Sequence, residues 1–401
     1  MSKLHFDYKS LDELGLISRG RSKHRPRDAA HLYGGKYPFI QTGDIKHAGL
    51  YLTQYSQTYS EAGLAQSKLW PAGTLCITIA ANIAETAILG IDACFPDSVI
   101  GFIANDKLAD VHYIKYLFDS QLKRQYQQYS QGVAQDNLSQ EKLLSIKLPI
   151  PPLPIQRKIA AVLTALDDKI ALNKRINDKL EAMAKRLYDY WFVQFDFPDE
   201  NGRPYKSSGG KMVWNETLKR EIPEGWEVKS IEEILDEFPS TKRYNTSEYL
   251  TEGQFPIIDQ DSSAFIAGYT NDDSGLLKRF PAVLFGDHST CVKFLNFEYC
   301  RGADGTQILY SNDHRINQYY LYLTIKEMNI PNPGYSRHFK YLKELPIIIP
   351  DLKSSDRYER IVKSFYEKKT NCDYEIVRLT SLRDRLLPLL MNGQVVVEGE
   401  F

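Results

Sequence analysis

The 401-residue sequence predicts an α+β fold, with two similar globular domains separated by two long helices packed as an antiparallel coiled coil. Three observations predict this fold: short motifs occur twice in the same order, each copy ends at a break, and a long heptad pattern follows each break. We therefore expect a first domain at 1–150, a first helix at 151–197, a second domain with its linker at 198–350, and a second helix at 351–401.

Composition and charge are those of an ordinary folded protein, with 43% hydrophobic residues, 25% charged residues and a formal net charge of -1. Disorder and a uniformly basic nucleic-acid coat are therefore excluded, and any nucleic-acid contact must come from local patches. No apolar run is long enough to span a membrane, and the first eight residues hold no secretory signal. Five cysteines without a CxxC pair fit reduced thiols, so we expect a cytoplasmic protein without a membrane partner.

The duplication rests on five short matches that keep the same order in both copies. They pair 6–14 with 226–234, 37–40 with 255–258, 70–72 with 280–282, 105–106 with 312–313, and 148–150 with 345–347. The offset between the copies falls steadily along the chain, as expected if one duplicated module lost loop residues in its second copy. We therefore expect the two domains to share one fold.

The two helices are predicted from heptad spacing that follows each domain. Prolines at 149–154 end the first domain, and an amphipathic helix as long as 155–190 must bury one face. We expect the buried seam to comprise Ile159, Val162, Leu166, Asn173, Ile176, Leu180, Met183 and Leu187 in the first helix, and Val362, Phe365, Ile376, Leu379 and Leu386 in the second. Asn173 interrupts the first seam, either as a solvated irregularity or as the residue that fixes the register.

Catalytic sequence patterns are missing from the chain. It has no phosphate-binding loop, no zinc-protease helix, no nucleophile elbow and no clustered histidines for a metal. Asn332-Pro333-Gly334-Tyr335 resembles the loop with which DNA amino-methyltransferases hold a flipped base, but Gly334 replaces a proline and no methyl-donor loop precedes it. We therefore expect a turn there, and neither a catalytic nor a metal site.

Basic and amide-rich loops are the candidates for DNA contact. The segment 19–27 has five cations and no acid, which suits either a solvated turn or neutralisation of phosphates. The segments 125–137 and 332–340 differ although their flanks match, which suits either recognition of two different base sequences or two ordinary polar loops, each before a strand. The candidates are Arg19, Arg21, Lys23, Arg25, Arg27, Gln41, Thr42, Asp44, Gln131, Gln135 and Asn137 in the first domain, and Lys242, Arg243, Asp287, His288, Tyr335, Ser336, Arg337, His338 and Lys340 in the second.

Four motifs together resemble one known family. They are Pro151-Pro152-Leu153 followed by Gln156-Arg157-Lys158-Ile159, Ile222-Pro223-Glu224-Gly225-Trp226, Tyr188-Asp189-Tyr190-Trp191-Phe192, and Thr42-Gly43-Asp44-Ile45. The combination is similar to the specificity subunits of type I restriction-modification systems and extends over nearly the whole chain. The second copy departs from the pattern, because 350–356 lacks the Pro-Gln-Arg signature.

The resemblance implies that each globular domain is a target recognition domain for one half of a bipartite site on double-stranded DNA. The helices would set the unread gap and dock two modification subunits. The chain itself would be non-catalytic and bind no cofactor. The modification subunits would use S-adenosylmethionine, and two restriction subunits would use ATP and magnesium. Two alternatives stay open: a coiled-coil adaptor without DNA binding, and a single-chain adenine methyltransferase.

Overall fold

The chain folds as two compact units that share both long helices. The computed structural model describes residues 5–80, 82–123, 138–238, 241–331 and 337–397. One unit comprises Met1–Leu172 with Ile376–Phe401, and the other comprises Asn173–Glu375. Each unit therefore contains one globular part, the beginning of one long helix and the end of the other.

The globular part of the first unit packs two sheets and several helices. Its strands are β1 (Asp7–Lys9), β2 (Gly15–Arg19), β3 (Tyr33–Phe39), β4 (Tyr51–Leu52), β5 (Gln57–Tyr59), β6 (Leu69–Trp70), β7 (Leu75–Thr78), β8 (Thr86–Leu89), β9 (Ala93–Cys94), β10 (Val99–Ala104) and β11 (Leu148–Ile150). Its helices are α1 (Leu11–Leu14), α2 (Thr42–His47), α3 (Glu61–Ala65), α4 (Val111–Phe118) and α5 (Gln140–Ser145), with a 3-10 turn at Ala30–Leu32 and a π-helical segment at Asp119–Lys123. The strands form a sheet β2-β10-β7-β8-β4, a sheet β5-β3-β9-β6 and the pair β1-β11.

The first long helix, α6 (Leu153–Tyr188), continues into a π-helical segment at Asp189–Val193 and leads to the second globular part. The strands there are β12 (Met212–Asn215), β13 (Arg220–Pro223), β14 (Glu227–Ser230), β15 (Arg243–Tyr244), β16 (Phe255–Ile258), β17 (Gly268–Thr270), β18 (Leu276–Leu277), β19 (Ala282–Gly286), β20 (Val292–Leu295), β21 (Tyr299–Gly302), β22 (Thr306–Leu309) and β23 (Pro346–Ile349). The helices are α7 (Ile231–Ile234), α8 (Gln318–Glu327) and α9 (Phe339–Glu344), with a 3-10 turn at Thr246–Glu248, and the second long helix is α10 (Leu352–Met391). The sheets are β20-β19-β22, β15-β21-β16-β17 with β18 on β21, and the pairs β14-β23 and β12-β13.

The two globular parts are built alike, down to single hydrogen bonds. The N–H of Asn105 donates to the carbonyl of Leu14 at 2.9 Å, and the N–H of Asn312 donates to the carbonyl of Ile234 at the same distance. Ser10 and Ser230 each begin a short helix with a capping box. The duplication predicted from sequence is therefore confirmed by equivalent backbone contacts.

The last of the five sequence matches was two residues out of register. Strand β1 pairs Lys9 with Leu148, and β14 pairs Lys229 with Ile347, so 148–150 corresponds to 347–349 and not to 345–347. A shift of two residues along a strand keeps the same faces buried. The hydrophobic pattern alone therefore could not reveal the error.

Within each unit the two long helices pack antiparallel, as predicted. In the first unit Ile159 lies in the same core as Leu390, near the end of α10, and Arg383 pairs with Asp167 at 2.7 Å. In the second unit the hydroxyl of Tyr358, near the start of α10, donates to the carbonyl of Ala184 at 3.4 Å. Within the described residues, no helix combines the length and apolar content needed to cross a bilayer.

One of the eight seam residues predicted for α6, Met183, was wrong by one position. Met183 is 51% exposed, and the neighbouring Ala184 is buried in its place. Leu163 and Asn177, which the prediction left out, are buried beside Val162 and Ile176, which are half-buried. The sequence pattern favoured bulky apolar residues, but the packing uses the small Ala184 beside Tyr358 and a polar Asn177 that donates to Asp373 at 2.6 Å.

The other predicted seam positions are at least half-buried. Ile159, Asn173 and Val362 are buried, and the others, all half-buried, are Leu166, Leu180, Leu187, Phe365, Ile376, Leu379 and Leu386. The buried seam of α10, moved back by the 199 residues that relate 148 to 347, coincides with the seam of α6. The internal repeat was thus a usable signal for the correct register.

We expect Leu163→Ala to lower the free energy of unfolding by about 2–5 kcal/mol, because it opens a cavity in a fully buried seam. The matched change Met183→Ala, on the exposed face of the same helix, should cost less than about 1 kcal/mol. Differential scanning calorimetry of both variants measures the difference. Equal shifts in melting temperature would contradict the observed seam.

Candidate nucleic-acid interface

The basic loop of the first domain, 19–27, has its backbone fixed by neighbouring side chains. The carboxamide oxygen of Gln66 accepts the N–H groups of Lys23 at 2.6 Å and His24 at 3.0 Å. The hydroxyl of Ser67 donates to the carbonyl of Arg21 at 2.7 Å. These hydrogen bonds fix the backbone conformation of the loop, whereas a freely solvated turn would lack them.

Two of the five predicted cations in this loop are engaged within the protein. The guanidinium of Arg27 donates to both carboxylate oxygens of Asp97, at 3.0 and 2.9 Å. The guanidinium of Arg25 folds back and donates to the carbonyls of Ser22 and His24 at 2.8 Å each. Both side chains remain exposed, but they serve the loop's own structure first.

The other cations of the loop form, with one lysine from elsewhere, what we call the basic surface: Arg19, Arg21, Lys23 and Lys68. In the described part of the chain, none of the four has an acidic partner within 4.0 Å. The ammonium of Lys68 lies 3.5 Å from the centre of the Trp70 ring. Burial, and then the charge of Arg21, lower the pKa of Lys68, so these two cations act on each other. Sequence reasoning missed Lys68 because it lies on a different segment.

The Thr-Gly-Asp-Ile motif forms the beginning of α2. The carboxylate of Asp44 accepts the N–H of Gln41 at 2.8 Å and the hydroxyl of Ser56 at 3.3 Å, so Asp44 shapes the helix start. Gln41 donates from its amide to Gln57 at 3.0 Å. Gln41, Thr42 and Asp44 are all half-buried. A cavity of about 420 Å³ adjoins Asp44, and its lining also includes His47, Tyr51, Gln54, Tyr55 and Ser56.

In the second domain a single side chain ties three loops together. The carboxamide oxygen of Gln260 accepts the N–H of His288 at 3.0 Å and that of Ser289 at 3.3 Å. Its amide donates to the carbonyl of Asp304 at 2.7 Å, and the hydroxyl of Ser289 donates back to the Gln260 carbonyl at 2.8 Å. His288, Ser289 and Asp304 are exposed. These donors and acceptors are therefore presented in a fixed arrangement.

Asp287 and His338, two predicted DNA contacts, are buried and only 2% and 3% exposed. The Asp287 carbonyl contacts the His338 backbone N–H and ring Nδ1 at 2.9 Å each, and its carboxylate accepts the N–H of Phe339 at 2.8 Å. Because both side chains are enclosed, they position the start of α9 and cannot meet a base. The interpretation of these two residues as DNA contacts was wrong.

The remaining predicted contacts lie either on the surface of the second domain or, in both domains, outside the described residues. Lys242 pairs with Asp272, which lowers the pKa of that carboxyl and raises the pKa of Lys242. Arg243, Arg337 and Lys340 are exposed. Gln131, Gln135, Asn137, Tyr335 and Ser336 lie outside the described residues. In the described ranges, no group of three or more His, Cys, Asp or Glu side chains could hold a metal ion.

Comparison with known proteins gives a consistent result. Residues 4–182 match the family model described as the type I restriction modification DNA specificity domain. The type I restriction enzyme MjaIX specificity subunit of Methanocaldococcus jannaschii is 24% identical over 419 residues, covering 98% of this chain and 94% of that protein. The HindI specificity subunit of Haemophilus influenzae is 24% identical over 480 residues, covering 97% and 100%.

A solved structure shares the fold. The crystal structure of a type I restriction-modification system S subunit from M. genitalium has a TM-score of 0.62 at 16% identity, covering 100% of this chain and 98% of that one. Neither an adaptor nor a single-chain methyltransferase is favoured by these similarities. Residues 4–182 are thus a type I restriction modification DNA specificity domain, and nearly the whole chain is similar to specificity subunits of type I restriction enzymes.

Proposed function

We propose that this chain recognises a bipartite sequence on double-stranded DNA, one half with each globular domain, and contributes no chemistry of its own. The observation that carries the proposal is the pairing of two equivalent scaffolds with unlike exposed loops. The hydrogen bonds of the framework repeat in both domains, but the first domain presents the basic surface and the second presents the loops tied by Gln260. Equivalent frames with different polar groups suit recognition of two different base sequences.

Methylation and cleavage would come from partner subunits. Modification subunits would bind S-adenosylmethionine, and restriction subunits would use ATP and magnesium, as the family resemblance implies. This division agrees with the sequence, which has no phosphate-binding loop or methyl-donor loop.

The long helices offer a surface for the modification subunits. In the second unit an open groove of about 600 Å³ is lined by Met183, Leu187, Tyr190, Ile361 and Phe365, with Arg186, Asp189 and Gln194 at its polar margin. Met183, Tyr190 and Ile361 are 51%, 38% and 41% exposed. An exposed apolar cluster with a polar margin is typical of a protein-binding surface.

The first unit has apolar side chains at the positions that correspond, through the internal repeat, to the groove of the second unit. Moving the groove by 199 residues gives Leu382, Leu386, Leu389, Val162 and Leu166, all of them apolar and half-buried. Two repeat-related apolar surfaces suit two copies of one partner, since each copy would meet the same kind of patch. We infer that two modification subunits dock there.

The length of the helices would set the gap between the two recognised half-sequences. An α-helix rises ~1.5 Å per residue, so a change in helix length is a defined change in distance. Asn173 and Asn177, which donate to Glu375 and Asp373 at 2.8 and 2.6 Å, supply polar pairs that fix the register of such a spacer.

The complex of this chain with the modification subunit of its own system should methylate adenine at one bipartite sequence. Single-molecule sequencing of DNA from cells that express both proteins measures this, with cells expressing either protein alone as controls. Methyl transfer by the purified chain alone would instead show a single-chain methyltransferase. A complex that assembles but binds no DNA would favour the adaptor.

Met183→Asp should remove one modification subunit from the complex, and Leu382→Asp should remove the other, because each places a charge in one apolar surface. Native mass spectrometry counts the copies, and the double variant should bind neither. Leu172→Asp is the matched control, since Leu172 is 42% exposed on α6 outside the groove. Loss of both copies from either single variant would contradict two independent docking surfaces.

Inserting one heptad after Asn173 and another after Glu375 should lengthen the recognised gap by about three base pairs. Seven residues add ~10 Å of helix and keep the apolar seam in register. Both half-sequences should stay the same, as seen in a map of methylated adenines. An unchanged gap in a stable, active variant would refute the spacer role of the helices.

A further inference from the structure

We propose that the two domains divide the work of binding unequally: the first provides most of the electrostatic attachment to the DNA phosphates, through Arg21 and Lys68, and the second contributes mainly hydrogen bonds. This inference rests on the proposed function, since it concerns the same DNA-binding surfaces. It begins with the distribution of charge along the sequence. Residues 1–150 contain 16 Lys+Arg and 14 Asp+Glu, a formal charge of +2, whereas residues 198–350 contain 17 and 22, a formal charge of -5.

The basic surface is suited to phosphate because its cations have a fixed frame and no competing acid. Gln66 and Ser67 hold the loop backbone at Arg21 and Lys23. Gly20, just before them, has no room for a side chain, because an added Cβ would lie 2.3 Å from the Pro96 carbonyl oxygen. A cation that is already positioned loses less freedom when it meets an anion.

Lys68 adds a second, independent observation. Its ammonium is stacked on Trp70 and close enough to Arg21 for the two positive charges to repel. A phosphate placed between them would remove this repulsion and neutralise both cations at once. Two cations from different segments that repel each other, with no acidic partner among the described residues, are better explained by an external anion than by a contact within those residues.

In the second domain many of the cations form salt bridges with carboxylates of the same domain. These pairs are Lys242 with Asp272, Arg279 with Asp236, Arg315 with Asp313 and Glu227, Lys229 with Asp313, and Lys343 with Glu232. Arg243, Lys278, Arg337 and Lys340 are among the cations that remain exposed, and they can supply only a few phosphate contacts. The polar groups fixed by Gln260 would then carry recognition in a domain whose net charge repels DNA.

The salt dependence of DNA affinity distinguishes the contributions of the two domains to binding. The assembled complex with modification subunits is titrated onto its own DNA site between about 50 and 200 mM salt, and the slope of log affinity against log salt is measured. We compare Arg21→Gln/Lys68→Gln with the matched pair Lys242→Gln/Arg243→Gln, because each removes two charges and glutamine keeps much of the aliphatic stem. Thermal melting and native mass spectrometry confirm that both variants fold and assemble.

The first-domain variant should lower the slope by about two, and the second-domain variant by less than about one. Equal losses, or a greater loss in the second domain, would overturn the unequal division while leaving the proposed function intact. A first-domain variant that instead loses its modification subunits would assign the basic surface to protein contact and also overturn it. If the wild-type complex shows no specific, salt-dependent binding, the proposed function itself fails.

Discussion

The fold depends on burying the apolar face of two helices that are too long to be stable alone in water. Each helix begins in the core of one unit and ends in the core of the other. Ile159 and Leu163 of α6 share a core with Leu390 and Met391 of α10, while Trp191 lies in the other core with Tyr358. Helical stability in proteins comes mainly from such packing of an amphipathic face. The globular parts and the helices therefore stabilise one another.

The middle of the seam follows a different rule, because it buries polar groups. Asn177 and Lys369 both bind Asp373, and burial raises the pKa of that carboxyl. A buried polar group is costly without its partner, so a shifted register would leave these groups unsatisfied. Apolar residues could pack in several registers, whereas these pairs form in one. Polar pairing thus adds specificity to a helix pair whose stability comes from its apolar ends.

The duplicated architecture separates what is kept from what varies. The framework repeats closely: Tyr113 donates to the carbonyl of Pro149 at 3.1 Å, and Tyr320 to that of Ile348 at 2.7 Å. The helix entry repeats by different chemistry, because Gln156 accepts the N–H of Asp110 whereas Asn317 donates to Ser355. The second copy thus holds its helix entry without the Pro-Gln-Arg signature. The exposed loops are free of these constraints, and a recognition protein can vary them without disturbing its frame.

The sequence by itself determined the duplication, the two helices, the antiparallel pairing and the family resemblance, because heptads and repeated motifs depend on spacing along the chain. It did not determine which polar residues would be enclosed. Asp287 looked like a surface contact, yet it is buried against α9, and Asn177, which the predicted seam left out, lies in that seam. It also could not join Lys68 to Arg21 or Gln260 to His288, since these neighbours are brought together only by strand order. Burial of a polar group depends on partners distant in sequence, and only the tertiary structure supplies them.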